Sequence, residues 1–132
     1  MNSAILSTNY QSNPNVMGYR EIRRGDLFFA KLPKGFGGSV QEGNRPVLVI
    51  QNNLGNRHSP TLIVSPLTSQ EKKALPTHVE VSQEEGLERT STVLCEQIQT
   101  ISKDKLLRYI GSLSKATMDK ITKALITSIG QN

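Results

Sequence analysis

An arginine, Arg45, stands before an apolar run and directly after a loop rich in glycine and small polar residues. The run, residues 47–50, is typical of a buried strand, and burial would fix the backbone that carries the arginine. A planar guanidinium matches two phosphate oxygens at once, and Ser39 and Gln41 in the loop add hydroxyl and amide groups. The pattern fits a phosphodiester site, and it fits equally an arginine that pairs with a carboxylate at a strand end.

A second group of small polar side chains, Thr68, Ser69 and Gln70, closely follows another apolar run. Three such side chains at a strand end can present hydroxyl and amide donors to one oxyanion. The same composition is also ordinary in a turn. These three residues are informative because the same chain also contains Arg45, and Glu96 and Gln97 near the end of a further apolar run.

The elements that must position these residues are mainly strands. Short apolar or alternating runs predict strands at residues 26–32, 45–51, 61–65, 77–81 and 91–98. Pro66 is expected to end the third strand, residues 52–56 have turn composition, and residues 106–113 fit a short strand or helix. Short strands at regular spacing with polar turns indicate a mainly β protein, a small antiparallel β-barrel.

One helix is predicted at the end of the chain. Ser114 is a good N-cap residue, and Gly130 suits the C-cap position. Between them, apolar residues recur at steps of three and four, forming one stripe: Met118, Ile121, Leu125 and Ile129. A single stripe predicts that the helix packs on the barrel.

The length of 132 residues predicts one domain, and the formal net charge of +5 favours a polyanionic partner. Residues 22–58 carry six basic and two acidic side chains, as do residues 102–132, whereas residues 78–101 carry five acidic and one basic. Residues 1–21 are expected to be a flexible tail, with Met17 an alternative start, and residues 22–132 the folded domain. This charge distribution fits a face that binds nucleic acid, and equally a ribosomal or architectural protein.

Several classes of protein are disfavoured by what the sequence lacks. No apolar run approaches the roughly 18 residues of a membrane span, and the first residues do not resemble a secretion signal. The only cysteine, Cys95, lies in an apolar run and is expected to be a buried thiol in a reducing, cytoplasmic setting. His58 and His78 have no partner at metal-ligand spacing, so we expect neither a metal nor another cofactor.

Further short motifs accompany the candidate residues in a fixed order. They are Arg24-Gly25-Asp26, Asn44-Arg45-Pro46-Val47 with the preceding residues 38–43, and the stretches 51–57, 59–61, 67–70, 75–80 and 96–101. Together these motifs resemble the MazF/PemK family of toxin endoribonucleases. Their order and spacing hold from about residue 23 to residue 129.

The resemblance implies a fold, an activity and partners. The fold would be the small SH3-like barrel of the PemK/MazF/CcdB type with a C-terminal helix. The protein would work as a homodimer and would not bind a membrane. The activity would be sequence-specific, metal-independent cleavage of single-stranded RNA. A cognate antitoxin would wrap the dimer and block the RNA groove. Departures in the loop, among them Val40 and residues 42–44, are expected to alter the RNA sequence that is cut.

The resemblance also implies roles for residues at matching positions. Arg45 and Thr68 match the catalytic arginine and threonine. The expected RNA-binding residues are Ser39 and Gln41 in the loop, Ser69 and Gln70 beside Thr68, and the groove residues His78, Glu96 and Gln97.

The expected reaction uses the nucleophile that RNA carries, its 2′-hydroxyl. The enzyme then positions that oxygen, moves two protons and stabilises charge on the phosphate. Arg45 and Thr68 suit charge stabilisation, but arginine ionises above pH about 12 and is a poor base. Glu96 and His78 are both candidates for the general base. Glu96 could instead pair with a lysine or read a base edge, and His78 could stack on a base.

Two other functions remain compatible with such a barrel. One is a poison of a protein target, since a gyrase-inhibiting relative shares the fold without cutting RNA. The presence of both Arg45 and Thr68 argues against it. The other is a noncatalytic RNA-binding barrel, which would bind with a steep salt dependence and leave RNA intact.

Overall fold

The computed structural model describes residues 20–34, 40–71 and 73–131. Ser39 and all of the expected tail except Arg20 and Glu21 lie outside these ranges. The strands are β1 (Asp26–Leu32), β2 (Gly43–Val49), β3 (Thr61–Thr68), β4 (His78–Val81), β5 (Ser91–Leu94), β6 (Gln99–Ser102) and β7 (Leu106–Ser112). The helices are α1 (Asn53–His58) and α2 (Lys115–Ile129), and 3₁₀ turns span Gln83–Glu85 and Lys103–Lys105.

Two predicted elements differ from the observed ones. Residues 52–56 are expected to be a turn, but most of them belong to α1, which Asn52 caps by accepting a hydrogen bond from the Gly55 amide at 2.8 Å. The strand predicted at residues 91–98 ends at Leu94, because the chain turns at Cys95 and the Gln97 main-chain amide donates to the Leu94 carbonyl at 3.0 Å; strand β6, which follows this turn, was not predicted. Of the two alternatives for residues 106–113, the strand is the one observed, as β7.

Pro66 does not end β3, as the sequence predicted, but lies inside it. On one edge of β3, Pro66 pairs with Val47 of β2. On the other edge, β3 pairs with β6 as far as Val64 and with β5 from Leu67. Pro66 therefore lies where β3 changes partners, a position that tolerates the missing N–H.

All recorded strand pairs are antiparallel, in the order β4–β5–β3–β2–β1–β7, with β6 pairing the first half of β3. The described strands show no ladder between β4 and β7, so the barrel is open at this seam. The turn after β4 covers it by backbone packing. A methyl group at Gly86 would lie 2.6 Å from the Ile110 carbonyl oxygen, and one at Gly111 would overlap the Glu85 carbonyl. Glycines at both positions allow this approach.

Two apolar clusters fill the two sides of the curved sheet. Phe28, Val47 and Val64 belong to the first, which β1, β2, β3 and β6 surround. Leu48, Leu67 and Val93 belong to the second, which α2 covers. Alternation along β2 sends Val47 and Val49 to the first cluster and Leu48 to the second, as expected for a strand buried on both faces.

Helix α2 begins after Ser114, whose hydroxyl oxygen accepts from the Thr117 amide at 3.2 Å, so the predicted N-cap is confirmed. Met118 and Ile121 of the predicted stripe are buried against the sheet. Ala124 completes the buried face, whereas Ile129 was expected on it and is 74% exposed. The last helical turn therefore carries an exposed isoleucine. Neither described helix is long and apolar enough to span a bilayer.

A buried lysine fixes α1 to the strands. Lys103 is only 2% exposed, and its Nζ donates to the Asn56 carbonyl at 2.6 Å. Burial disfavours the charged ammonium and lowers the pKa of Lys103 to about 8. The bond satisfies a carbonyl at the end of α1, where backbone acceptors have no helical partner.

Candidate active site

Arg45 projects from the first half of β2, where it pairs with Ala30 of β1. The residue is half-buried, and its Nε donates to the Glu42 carbonyl at 2.9 Å. Because this bond uses Nε, the two terminal nitrogens are the part of the guanidinium that can meet a phosphate. Among the described residues, no carboxylate lies within the 4.0 Å of an ion pair with Arg45. Those residues therefore supply no carboxylate partner for Arg45.

Thr68 ends β3 on the strand next to Arg45. The β2–β3 ladder pairs Val49 with Val64, Leu48 with Ser65 and Val47 with Pro66. The recorded ladder ends at the pair Val47–Pro66, and Arg45 and Thr68 each lie two residues beyond it on the two strands. The ladder therefore carries the two expected catalytic residues to the same end of adjacent strands.

Thr68 is buried, with 3% of its surface exposed. Its Oγ1 accepts a hydrogen bond from the Gln70 amide at 3.2 Å. That bond uses a lone pair of the hydroxyl, so the hydroxyl proton is what Thr68 can offer to a phosphate oxygen. Ser69 and Gln70 are exposed, as expected of residues that meet RNA.

Ser69 does not point into the same space as the rest of the candidate site. It lines a cavity of about 270 Å³ together with Phe29, Pro46 and Arg108. Pro46 alternates with Arg45 along β2, so this cavity opens on the opposite face of the sheet. The structure therefore separates Ser69 from the group around Arg45.

His78 and Glu96 form a pair that joins β4 to the β5–β6 turn. Nε2 of His78 lies 3.1 Å from Oε2 of Glu96. The His78 side chain is 9% exposed and that of Glu96 is 37% exposed, so the carboxylate is the member that solvent or substrate can reach. The Nδ1 atom of His78 is buried, and no group of the described residues forms a hydrogen bond with it. His78 thus holds and orients Glu96.

Gln41 and Gln97 meet across 56 positions of sequence. The main-chain amide of Gln41 donates to Oε1 of Gln97 at 2.9 Å, and Nε2 of Gln99 lies 3.4 Å from the main-chain carbonyl oxygen of Gln41. Gln41 precedes β2 on one edge of β3, whereas Gln97 and Gln99 lie beyond the other edge. The segment before β2 therefore spans β3. A groove of about 430 Å³ lies here, lined by Val40, Glu96, Gln97 and Gln99 among others.

The structure thus groups most of the expected residues and adds two that the sequence did not single out. Arg45 connects through Glu42 to Gln41, then to Gln97 and its neighbour Glu96. Gln99 and the Glu42 carbonyl were missed, because a glutamine in a strand and a backbone carbonyl carry no sequence signal. Ser39 lies outside the described residues.

Cys95 follows β5 and adjoins Glu96, but it is not a nucleophile. The thiol is fully buried. Burial, and secondarily the negative charge of Glu96, raise its pKa to about 12. A thiol with that pKa is protonated at neutral pH and unreactive. The expectation of a buried cysteine is confirmed.

Within the described ranges, no three His, Cys, Asp or Glu side chains are grouped so that they could hold a metal ion. The groups that the candidate residues offer for chemistry are the Arg45 guanidinium, the buried Thr68 hydroxyl and the Glu96 carboxylate paired with the His78 imidazole. Such a set can bind a phosphodiester, stabilise negative charge on it and exchange a proton with it.

Comparison with known proteins identifies relatives over nearly all of this domain. Residues 23–129 match the model of a family described as the PemK-like, MazF-like toxin of type II toxin–antitoxin system. Endoribonuclease EndoA of Bacillus subtilis (strain 168) is 51% identical over 110 residues, which cover 82% of this chain and 94% of that protein.

Two solved structures are similar in both fold and sequence. An endoribonuclease in complex with its cognate antitoxin, from a mycobacterial species, superposes with a TM-score of 0.70 at 32% identity. The match covers 84% of this chain and 97% of that one. The Mycobacterium tuberculosis toxin MazF-mt6 gives a TM-score of 0.69 at 27% identity, over 81% and 98% of the two chains.

Proposed function

The chain belongs to the PemK-like, MazF-like toxin family and is an endoribonuclease toxin of a toxin–antitoxin system, and we propose that it cuts single-stranded RNA at a specific sequence without a metal ion. The main observation in support of this proposal is the way in which the Arg45 side chain is held. Its Nε donates to the Glu42 carbonyl, and Thr68 lies at the same end of the adjacent strand β3. A cation held in this way meets a phosphodiester without reorganisation.

The proposed reaction is an internal transfer followed by release. The 2′-oxygen of the nucleotide before the cut attacks phosphorus, and the bond from phosphorus to the 5′-oxygen of the next nucleotide breaks. The products are a 2′,3′-cyclic phosphate and a free 5′-hydroxyl. One proton leaves the 2′-hydroxyl and another joins the 5′-oxygen, so the step balances without water or a co-reactant.

Arg45 and Thr68 stabilise the charge that develops during this step. The terminal nitrogens of Arg45 donate to the nonbridging oxygens, and the Thr68 hydroxyl donates to the same phosphate. Arg45 can also deliver the proton to the leaving 5′-oxygen. Thr68 is buried, so its hydroxyl acts on a phosphate drawn inward by Arg45.

Glu96 is the proposed general base. Its carboxylate is the exposed member of the pair with His78, which lies 3.1 Å away and orients it. A carboxylate can accept the 2′-hydroxyl proton, and the imidazole can stabilise either state of that carboxylate. His78 is then a positioning residue, since its own ring is nearly covered.

Sequence specificity is proposed to reside in the groove at the β5–β6 turn and in the exposed Gln70. The groove is lined by Glu96, Gln97 and Gln99, whose side chains suit the edges of bases. The net charge of +5 supports a polyanionic substrate.

We also propose that the chain is a cytoplasmic homodimer neutralised by a cognate antitoxin. Support comes from the mycobacterial relative, an endoribonuclease solved in complex with its cognate antitoxin. Sedimentation at micromolar concentration tests the dimer, and a monomeric mass would contradict it.

The test of the nuclease is to mix purified protein with a long single-stranded RNA in excess EDTA and map cuts by primer extension. Wild type is compared with Arg45→Ala and with Arg57→Ala, an arginine whose side chain is 55% exposed and paired with Glu21. Single-stranded DNA of the same sequence lacks the 2′-hydroxyl and serves as the substrate control.

Discrete cuts in RNA alone, kept by Arg57→Ala and lost by Arg45→Ala, are the expected result. Cuts that vanish in EDTA would contradict metal independence. RNA left intact across several unrelated sequences by a folded wild type would favour a protein target. Binding without cutting, together with a steep loss of affinity in salt, would favour a noncatalytic RNA-binding barrel.

A further inference from the structure

The main chain at Gln41 and Glu42, directly before β2, is held by side chains from distant parts of the sequence. The side chain of Gln97 accepts from the main-chain amide of Gln41 at 2.9 Å, and Gln99 makes a longer contact of 3.4 Å with the main-chain carbonyl oxygen of Gln41. The next carbonyl, that of Glu42, accepts from Nε of Arg45 at 2.9 Å. These contacts connect the β5–β6 turn to the guanidinium through two consecutive residues.

The contact with Gln97 is the one that this connection needs most. Gln41 is only 8% exposed, so an unpaired main-chain amide there would be a buried donor without a partner, which is unfavourable. The distance of 2.9 Å is that of a well-formed hydrogen bond, whereas the 3.4 Å contact from Gln99 is weak.

Gly43, the first residue of β2, directly follows the held segment. Its φ of +79° lies in the left-handed region, where glycine is favoured. The backbone at Gly43 therefore departs from regular strand conformation, and β2 alone does not determine where the Glu42 carbonyl points. A tether on Gln41 supplies that missing constraint.

We propose that Gln97 is a positioning residue: its amide oxygen tethers Gln41, which places the Glu42 carbonyl and so sets the direction of the Arg45 guanidinium. This inference rests on the proposed role of Arg45 in RNA cleavage. It gives Gln97 a task distinct from contact with RNA, and it predicts which chemical feature of the side chain matters. The oxygen is essential to the tether, and the amide hydrogens are not.

Two substitutions separate the oxygen from the hydrogens. Gln97→Glu keeps an oxygen that can accept from the Gln41 amide and removes the donors. Gln97→Met has similar length and no strong acceptor. Gln99→Met removes the weaker contact, so its effect on exchange and cleavage can be compared with that of Gln97→Met. Thermal unfolding establishes that each variant is folded.

Two readouts are needed, and only one depends on cleavage. Hydrogen exchange of the Gln41 amide, followed by NMR, reports the tether itself. Single-turnover cleavage of an RNA that contains the mapped site reports the chemical step. Affinity for the same RNA with a 2′-deoxy nucleotide at the cut reports binding.

In Gln97→Met, we expect Gln41 exchange to accelerate at least tenfold and the saturating cleavage rate to fall about tenfold, beyond any loss of affinity for the 2′-deoxy RNA that comes from the altered groove. In Gln97→Glu, exchange stays slow and the saturating rate lies above that of Gln97→Met, while the added negative charge in the groove weakens RNA affinity. Gln99→Met gives a smaller change than Gln97→Met.

Wild-type exchange and cleavage in Gln97→Met would overturn the inference. So would a Gln97→Glu variant with slow exchange and a cleavage rate as low as that of Gln97→Met, because Gln97 would then act on RNA through its amide hydrogens. A wild-type protein that cuts no RNA would instead contradict the proposed function, and the exchange data would still decide whether the tether exists.

Discussion

Nε2 of His78 lies 3.1 Å from Oε2 of Glu96, and the two side chains differ sharply in exposure, at 9% and 37%. The pair joins the first residue of β4 to the turn after β5, and the register of these strands, which pairs His78 with Leu94, brings it together. A buried imidazole behind an exposed carboxylate is a common way to orient a proton-transfer group.

Glu96→Gln should reduce the saturating cleavage rate by about 100-fold or more, because general-base catalysis is worth roughly that much. Single-turnover cleavage at saturating enzyme measures this effect. A Glu96→Gln rate within a few-fold of wild type would show that Glu96 is not the base.

His78 allows a matched pair of substitutions. His78→Gln places a nitrogen near the position of Nε2 and should keep most of the activity, whereas His78→Asn reaches only the position of Nδ1 and should lose it. The measurement is again the single-turnover rate. Equal rates in the two variants would contradict a positioning role through Glu96.

Thr68→Val should lower the cleavage rate by about 100-fold, because one donor to the phosphate is lost in a water-excluded site. Thr68→Ser keeps the hydroxyl and should stay within a few-fold of wild type. Val is close in shape to Thr, so the two variants should share the wild-type fold by circular dichroism. Full activity in Thr68→Val would leave Arg45 as the sole charge-stabilising residue.

Lys103 should make stability depend on alkaline pH. Burial lowers its folded-state pKa from 10.5 to about 8, so between these values the unfolded state binds more protons. The free energy of unfolding, relative to Lys103→Met, should therefore rise by up to about 3 kcal/mol from pH 8 to pH 10.5. Below pH 8 the burial cost is fully present and the difference is constant.

Urea unfolding of wild type and Lys103→Met at several pH values measures this difference. Groups common to the two proteins cancel, so only Lys103 contributes. A difference that falls as pH rises, or does not change, would contradict the lowered pKa.

Ile121→Ala should destabilise the fold by about 2–5 kcal/mol, because it leaves a cavity where α2 packs on the sheet. Ile126→Ala on the same helix is the control. Ile126 is 61% exposed, so its loss should change the free energy of unfolding by less than about 0.5 kcal/mol. Chemical denaturation compares the two, and similar values would mean that α2 packs through a different face.

Local patterns in the sequence were sufficient for several elements. The bounds of β1, the N-cap of α2 and the placement of Arg45 near the head of a buried strand follow from the runs of apolar and capping residues. Where a long-range partner decided the outcome, the same patterns failed. Pro66 continues β3 because the strand changes neighbours there, and Ile129 is exposed because the contact of α2 with the second apolar cluster reaches Leu125 and not the last helical turn.

What the sequence determined by itself is the family and the identity of most candidate residues, since these depend on residue types at fixed spacing. What only the tertiary structure decided is how those residues meet. Gln41 and Gln97 are 56 positions apart, and only the β2–β3 ladder carries Arg45 and Thr68 to the same end of adjacent strands. Such contacts depend on strand pairing between distant segments, and local composition carries no record of that pairing.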